Sequence, residues 1–306
     1  MNIVFMGTPE FGVPILKALL NSRHKVQAVV CQPDRPGNRG VIAKPPVKCC
    51  AEQACVDVLQ FNKISKDGID ELIRLNPDIM VTAAFGQILS DEVLNIPKHG
   101  VINVHASLLP KYRGSAPVNY AIIMGETETG VTIMQTVKEV DSGDIILQKK
   151  LTIGEDETAG ELTERLSYLG RDALIEALDL IESGSAKRTP QEHSKATWYP
   201  MLKKEDGKID FNKTPENLIN FIRGMTPWPS AYTFINGRSV KILKASKARF
   251  YGAPGEILFA DRKNGLIIGV SGGAVKIEIL QMQGKKPVAA EEFLLGNSLK
   301  INSILC

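Results

Sequence analysis

The chain has 306 residues, of which 43% are hydrophobic and 23% are charged, with a formal net charge of +3. This length suits one large core or two domains, and no apolar run approaches the ~20 residues that a membrane-spanning helix needs. The five cysteines include no C-x-x-C pair, so we expect neither a disulfide framework nor a zinc site, and a reducing cytoplasm as the location.

The first part of the sequence alternates apolar, β-rich runs with helical patterns. Strands are expected at residues 2–6, 26–31, 57–61, 78–84, 101–105, 130–136 and 144–150. Helices are expected after Pro14, from an N-cap at Ser65 to about Leu75, from Pro117 to about Met124, and from a Thr158–Glu161 capping box to near Gly184. This alternation predicts βαβ units and an α/β domain with a mostly parallel sheet.

The pattern changes after residue 185. Residues 186–204 contain Pro190 and Pro200 with little periodicity, which predicts a linker. A helix is expected from Thr214 to Gly224, followed by short strands at 231–235, 240–243, 255–259, 266–270 and 274–280 and a short helix at 291–295. This succession predicts a small OB-like β-barrel. The predicted domains are therefore 1–185, the linker 186–204 and the barrel 205–306.

A candidate catalytic pair lies on the strand expected at 101–105. Asn103 and His105 are two residues apart, so a strand points both side chains to one face. An amide donates to developing negative charge and an imidazole accepts a proton near neutral pH. A pair at the carboxyl end of a parallel strand suits a catalytic site, although both groups could instead satisfy buried backbone.

Two further motifs bear on the chemistry. The first βα turn, Gly7 to Gly12, lacks the G-x-G-x-x-G pattern, so a dinucleotide site is not expected there. The segment 140–144, with Asp141 followed by Ser and Gly, has the composition of an ordinary turn. Its carboxylate could also reach His105 and fix the tautomer of the ring, and spacing alone does not decide between these interpretations.

Two longer motifs identify a family. "VINVHASLLPKYRGSAP" and "GETETGVTIMQTVKEVDSGDI" resemble the catalytic core of the 10-formyltetrahydrofolate-dependent formyltransferases. "IVFMGTPEFGVPIL", "QPDRPGNRG" and "TPWPSAYT" resemble the branch of that family that acts on methionyl-initiator tRNA. The similarity runs essentially end to end. It implies a Rossmann-like domain, a linker and an OB-like barrel that helps to hold the tRNA.

The resemblance also implies an activity and its residues. The formyl group of 10-formyltetrahydrofolate would pass to the α-amino group of methionyl-initiator tRNA, giving N-formylmethionyl-tRNA for translation initiation. Asn103, His105 and Asp141 would form the catalytic set, without a metal. The segment of Ser107, Leu108, Leu109 and Pro110 would lie against the folate.

Contacts with tRNA are expected in two places. The segment 32–48 carries Arg35, Arg39 and Lys44 among its basic residues, and the resemblance implies that Arg39 engages the acceptor end. Beyond residue 204 basic residues outnumber acidic ones, which suggests a polyanionic partner. Strand alternation would put Lys241 and Lys247 on one face there, either against the tRNA backbone or in solvent.

Three other functions remain open from the sequence. The segment "SLLPKYRG" also fits formyltransferases that act on nucleotide-linked amino sugars, although a small substrate needs neither the barrel nor the basic loop. A glycinamide ribonucleotide formyltransferase is disfavoured because no Gly-rich phosphate loop follows the first strand. An RNA-binding protein on the same fold is disfavoured because Asn103, His105 and Asp141 are all present. We expect a monomer that does not bind membranes.

Overall fold

The computed structural model of the protein describes residues 1–36 and 42–305. It divides into two compact units, Met1–Pro117 with Glu128–Thr152 and Thr163–Tyr199, and Val118–Thr127 with Ile153–Leu162 and Pro200–Cys306. The domain boundaries predicted at residues 185 and 204 stay a prediction. No helix in the described part of the chain is both long enough and apolar enough to cross a bilayer.

A seven-stranded sheet forms the centre of the first unit. The strands of the unit are β1 Asn2–Gly7, β2 Lys25–Cys31, β3 Arg35–Pro36, β4 Ile42–Ala43, β5 Val58–Gln60, β6 Ile79–Ala83, β7 Val101–His105, β8 Arg113–Gly114, β9 Glu128–Gln135, β10 Ile145–Thr152 and β11 Trp198–Tyr199. The sheet order is β10-β9-β7-β6-β1-β2-β5. The five strands from β7 to β5 pair in parallel, and β9 and β10 are antiparallel. The predicted mostly parallel sheet is confirmed.

The α-helices before residue 200 are α1 Gly12–Leu20, α2 Pro46–Gln53, α3 Ile64–Asp67, α4 Ile69–Leu75, α5 Asp91–Leu94, α6 Pro117–Ile123 and α7 Ala159–Glu182. Of these, α6 from Val118 onward and the start of α7, up to Leu162, belong to the second unit. The capping box before α7 is confirmed, because the backbone N–H of Thr158 donates to the Glu161 carboxylate at 2.9 Å.

The helix predicted from an N-cap at Ser65 is wrong in two respects. Gly68 separates α3 from α4, which divides the expected helix into two short ones. Ser65 lies inside α3, and its hydroxyl donates to the carbonyl of Ile88 and accepts from the N–H of Ser90. These contacts with a segment more than twenty residues away use the hydroxyl that the local pattern assigned to a cap.

The two edge strands of the large sheet differ in length and charge. β5 has only three residues, whereas β10 has eight and, from Leu147 onward, alternates between partly buried and exposed positions. On β10, Lys149 pairs with Glu176 at 2.7 Å and Lys150 pairs with Glu128 at 2.8 Å. The longer edge therefore carries two charged side chains that are engaged in ion pairs.

An antiparallel sheet dominates the second unit, which confirms the β-rich C-terminal domain. Its elements are α8 Pro215–Met225, β12 Ala231–Ile235, β13 Arg238–Ala248, β14 Ile257–Asp261, β15 Gly265–Val270, β16 Gly273–Met282, β17 Val288–Ala289 and α9 Ala290–Gly296. The sheet order is β12-β13-β16-β15-β14, with β17 on β16. The Asn236–Gly237 hairpin turn has φ values of 49° and 71°, the left-handed region that these residues tolerate.

The strand β13 does not keep a simple two-residue period. Its pairing with β16 shifts register on both sides of Lys244, and such irregularities turn the strand locally. As a result Lys241, Lys244 and Lys247 are all exposed. Alternation alone predicted Lys241 and Lys247 on one face, but it would have placed Lys244 on the other.

Candidate active site

The carboxyl ends of β1, β6 and β7 meet at one edge of the large sheet, because these strands run parallel. The strand β1 pairs with β2 on one side and with β6 on the other, which makes it the point where the strand order reverses. Ligand crevices in open α/β sheets lie at such points. After β6 the chain turns through Ala84 and Gly86 with φ values of 49° and 82°.

His105 is the last residue of β7 and is 6% exposed. Its Nε2 atom lies 2.9 Å from the carbonyl oxygen of Tyr112. A carbonyl only accepts hydrogen bonds, so Nε2 carries the hydrogen of the neutral ring and Nδ1 has a free lone pair. The Tyr112 carbonyl, and not a carboxylate, thus sets the tautomer.

Asp141 faces the free nitrogen of that ring. Its Oδ1 atom lies 3.6 Å from His105 Nδ1, and its Oδ2 atom accepts a 2.8 Å hydrogen bond from the N–H of Gly114. The backbone of Asp141 has φ = 52°, a conformation that costs free energy in a residue with a side chain. The structure therefore brings together the imidazole and carboxylate that the sequence paired only as one alternative.

Asn103 lies two residues before His105 on β7 and is partly buried. Its Oδ1 atom accepts a 2.9 Å hydrogen bond from the Thr82 hydroxyl on β6. Since the amide oxygen is occupied in this way, the two hydrogens on Nδ2 remain the donors of this side chain. The arrangement gives the crevice a directed N–H donor beside a proton acceptor.

The Asp141 turn is held by Gln191, which sequence reasoning missed. Gln191 is 5% exposed, and its Nε2 atom donates to the carbonyls of Asp141 at 3.0 Å and Gly143 at 2.8 Å. Its Oε1 atom accepts two hydrogen bonds from Arg113, at 3.1 and 2.7 Å. The sequence did not predict these contacts, because Gln191 is uncharged, lies in a segment without periodicity and contacts residues about fifty or more positions away.

Gly143 completes this turn, and we expect Gly143→Ala to lower the free energy of unfolding by about 1–3 kcal/mol. A Cβ atom there would lie 1.9 Å from the backbone carbonyl oxygen of Gln135, so the turn would have to shift. Chemical denaturation measures the effect. Gly296→Ala is the matched control, because its Cβ would meet nothing within 4 Å, and equal stability of both variants would contradict the prediction.

The segment from Ser107 to Pro110 follows β7 directly. Ser107 and Leu109 are buried, whereas Leu108 and Pro110 are partly exposed. The hydroxyl of Thr132 donates to the Ser107 carbonyl at 2.7 Å and accepts from the N–H of Leu109 at 3.1 Å. Thr132 therefore fixes the backbone of this segment. Of the four residues predicted to bind folate, only Leu108 and Pro110 have partly exposed side chains.

The basic residues predicted on the 32–48 segment have local partners where the structure describes them. Arg35 donates to Gln32 at 3.3 Å, and the Lys44 ammonium pairs with Glu52 at 2.8 Å. The hydrogen bond with Glu52 raises the pKa of Lys44. Arg39 lies outside the described residues.

The other two residues predicted to bind tRNA belong to the second unit. Lys241 and Lys247 are both exposed on β13. Lys247 pairs with the Glu216 carboxylate, whose hydrogen bond raises the pKa of the ammonium group. Part of the positive charge on this strand is therefore compensated within the unit.

One group with metal-ligand spacing lies elsewhere among the described residues. His24, Asp179 and Glu182 have ligand atoms within 4.8 Å of one another. Arg23 pairs with both carboxylates, at 2.8 and 2.6 Å, and burial lowers the pKa of His24. These residues form an ion-paired cluster, and the expectation of a metal-free reaction stays a prediction.

The sequence matches known families over most of its length. Residues 1–178 match the family described as formyl transferase, and residues 201–298 match formyl transferase, C-terminal domain. The methionyl-tRNA formyltransferase of Geobacter metallireducens is 46% identical over 98% of this chain and 97% of its own. The protein of that name from Macrococcus caseolyticus is 46% identical over 96% of this chain and 95% of its own.

Solved structures share the fold at low identity. WlaRD, a sugar 3N-formyl transferase solved with dTDP and 5-N-formyl-THF, aligns over 94% of this chain and 99% of its own with a TM-score of 0.69 and 23% identity. HypX from Aquifex aeolicus in complex with tetrahydrofolic acid aligns with a TM-score of 0.64 and 18% identity. That alignment covers 95% of this chain but only 46% of HypX.

Proposed function

This chain belongs to the formyl transferase family, and from that premise we propose that it transfers the formyl group of 10-formyltetrahydrofolate to the α-amino group of methionyl-initiator tRNA. The product is N-formylmethionyl-tRNA, which serves translation initiation. The observation that carries the proposal is the pairing of His105 with Asp141 at the carboxyl edge of the sheet, where the ring Nδ1 atom lies 3.6 Å from the carboxylate Oδ1 atom. Relatives of that activity match nearly the whole chain, including its second unit.

We assign the proton transfer to His105. When the α-amine attacks the formyl carbon it must lose a proton, and Nδ1 is the ring atom with a free lone pair. Protonation at Nδ1 places a positive charge 3.6 Å from Asp141 Oδ1, and the carboxylate stabilises that charge. The same proton can then pass to the departing folate nitrogen.

We assign the stabilisation of negative charge to Asn103. The formyl oxygen gains negative charge as the amine attacks, and a fixed donor in a partly desolvated site favours that state. Thr82 holds the amide oxygen, so the Asn103 Nδ2 hydrogens are free to point at the reacting oxygen. This role needs no motion of the side chain during the reaction.

The residues after β7 fit a folate that enters the same crevice. Leu108 and Pro110 offer apolar surface for its ring system, and their backbone is fixed through Thr132. Bound there, 10-formyltetrahydrofolate supplies the activated formyl group. Ser107 and Leu109 contribute by holding this backbone in place, because their side chains are buried.

Basic residues outside the crevice support a tRNA partner. Arg35 and Lys44 flank the segment that contains Arg39, and Lys241 and Lys247 lie exposed on β13. Such side chains can contact phosphates without reading sequence. We further propose that the protein works as a monomer in the cytoplasm, in agreement with the free thiols among the described cysteines.

The deciding experiment offers three acceptors in parallel. The protein is incubated with labelled 10-formyltetrahydrofolate and charged initiator tRNA, a uridine-linked amino sugar or glycinamide ribonucleotide. We expect label only on the aminoacyl-tRNA. Label on the sugar or on the ribonucleotide would overturn the proposed acceptor, and binding of tRNA without any transfer would indicate an RNA-binding protein.

Arg39→Ala should raise KM for the charged tRNA while changing the free energy of unfolding by no more than about 0.5 kcal/mol, because the proposal gives this side chain a role in binding and not in the core. The proposal places this side chain at the acceptor end, where a lost phosphate contact weakens binding. Steady-state kinetics measure the effect, with Lys66→Ala on the exposed part of α3 as a control. Kinetics equal to those of the control would remove Arg39 from acceptor recognition.

A further inference from the structure

We propose that Gln191 is a positioning residue for the reaction, which holds the Asp141 carboxylate against His105. This inference rests on the proposed function and deepens the account of its site. Gln191 does not contact His105. It acts through two backbone segments, the turn that contains Asp141 and the strand β8 that follows Tyr112.

The amide of Gln191 is fixed in one orientation by its partners. On one side, two N–H groups of Arg113 converge on Oε1, and a guanidinium can only donate. On the other side, the carbonyls of Asp141 and Gly143 accept from Nε2. If the amide were turned over, its NH2 group would face the Arg113 donors and its oxygen would face the two carbonyls. The buried network therefore permits only one orientation of the amide.

These bonds join the two segments that orient the catalytic groups. Arg113 lies between Tyr112, whose carbonyl accepts from His105, and Gly114, whose N–H donates to Asp141. Gln191 links Arg113 to the carbonyl of Asp141 itself. The imidazole and the carboxylate are thus tied to one another through Gln191 as well as through their direct contact.

The turn benefits from such support because Asp141 has φ = 52°. This left-handed conformation costs free energy in a residue with a side chain, even though Asp tolerates it better than most residues. Two carbonyls of the turn would also be buried without a donor if Nε2 were removed. Thr189, two residues earlier, exchanges backbone hydrogen bonds of 2.8 and 2.9 Å with Ile145 just after the turn, which aligns Gln191 with it.

The test is Gln191→Glu in the full-length protein. The carboxylate keeps an acceptor for Arg113 but presents an oxygen, and no hydrogen, to the two carbonyls. We expect kcat to fall by about 10²-fold with little change in KM, because a small displacement of a catalytic group has an effect of that size. Glu192→Gln is the matched control, since Glu192 is exposed and its carboxylate contacts Lys195 and Ser194 at the surface.

A double-mutant cycle separates positioning from a general structural role. If Gln191 acts through Asp141, Gln191→Glu should lower kcat little further in an Asp141→Asn background. Multiplicative losses in the double variant would overturn the proposal, as would a normal kcat in Gln191→Glu. Should that variant fold poorly, Arg113→Lys provides the same comparison, because it loses the paired N–H groups but keeps the charge.

A readout independent of catalysis keeps this proposal distinct from the proposed function. The Gly114 N–H donates to Asp141. Gln191→Glu should therefore speed hydrogen exchange of the Gly114 amide by at least tenfold, which corresponds to about 1.4 kcal/mol. Glu192→Gln should leave the exchange rate of this amide unchanged. Failure of the native protein to formylate any acceptor would refute the proposed function alone. Unchanged exchange at Gly114 in Gln191→Glu would refute the positioning role alone.

Discussion

Replacing His105 by alanine is expected to lower kcat by about 10²–10⁴-fold, the usual contribution of a positioned proton acceptor. The substitution removes Nδ1, the only atom of this ring with a free lone pair, and leaves Asp141 without the charge that it would stabilise. Binding of charged tRNA should change little, because the ring is 6% exposed. Single-turnover kinetics with both substrates bound isolate this step from binding.

His99→Ala is the matched control for that measurement. His99 lies just before the amino end of β7, at the opposite end of the strand from His105, and its backbone N–H donates to Asp78. We expect this variant to keep the turnover of the native protein. Near-normal turnover in His105→Ala, with the fold intact, would exclude His105 from the proton transfer.

Asn103→Asp is expected to lower kcat by about 10²–10³-fold, as for the loss of one donor to an oxyanion. The two side chains have nearly the same size, and the Thr82 hydroxyl can still donate to a carboxylate oxygen. The change therefore replaces only the Nδ2 donor, by an atom that repels the developing negative charge. KM for the folate should change less than kcat.

Two further variants test whether the Asn103 donor is responsible for this loss of turnover. Thr82→Val keeps the Asn103 donor but frees the amide to rotate, so it should have an intermediate loss of turnover. Asn21→Asp makes the same chemical change at an exposed position where the amide donates to the Lys17 carbonyl, and it should leave turnover unchanged. A normal kcat in Asn103→Asp would show that the reacting oxygen is stabilised elsewhere.

The pattern of the sequence predicted the position of the site better than its internal contacts. The apolar, β-branched run before His105 predicted a strand, and the alternation of elements predicted a mostly parallel sheet. The strand β7 is parallel to β6 and antiparallel to β9. The two predictions together place Asn103 and His105 at an edge where ligands bind. They rest on local preferences, which residues near in sequence determine.

The contacts that give these side chains a chemical role depend on distant residues. The tautomer of His105 follows from the carbonyl of Tyr112 beyond an intervening turn, and the support of Asp141 comes from Gln191. Ser65 was assigned to a helix cap for the same reason that Gln191 was overlooked. In both cases a tertiary hydrogen bond decides the role of a polar side chain, and local sequence does not encode it.

The strand β10 has a consequence for how this protein behaves at high concentration. Edge strands offer unpaired N–H and C=O groups to other molecules, and long, flat, apolar edges promote intermolecular strand addition. Here Lys149 and Lys150 carry charged side chains that form ion pairs with Glu176 and Glu128, and Ile145 at the start of β10 already exchanges backbone hydrogen bonds with Thr189. Charged side chains and a strand end that is already paired both disfavour the addition of another strand. The opposite edge, β5, is too short to template a partner. We therefore expect little strand addition at either edge of the sheet that carries the candidate active site.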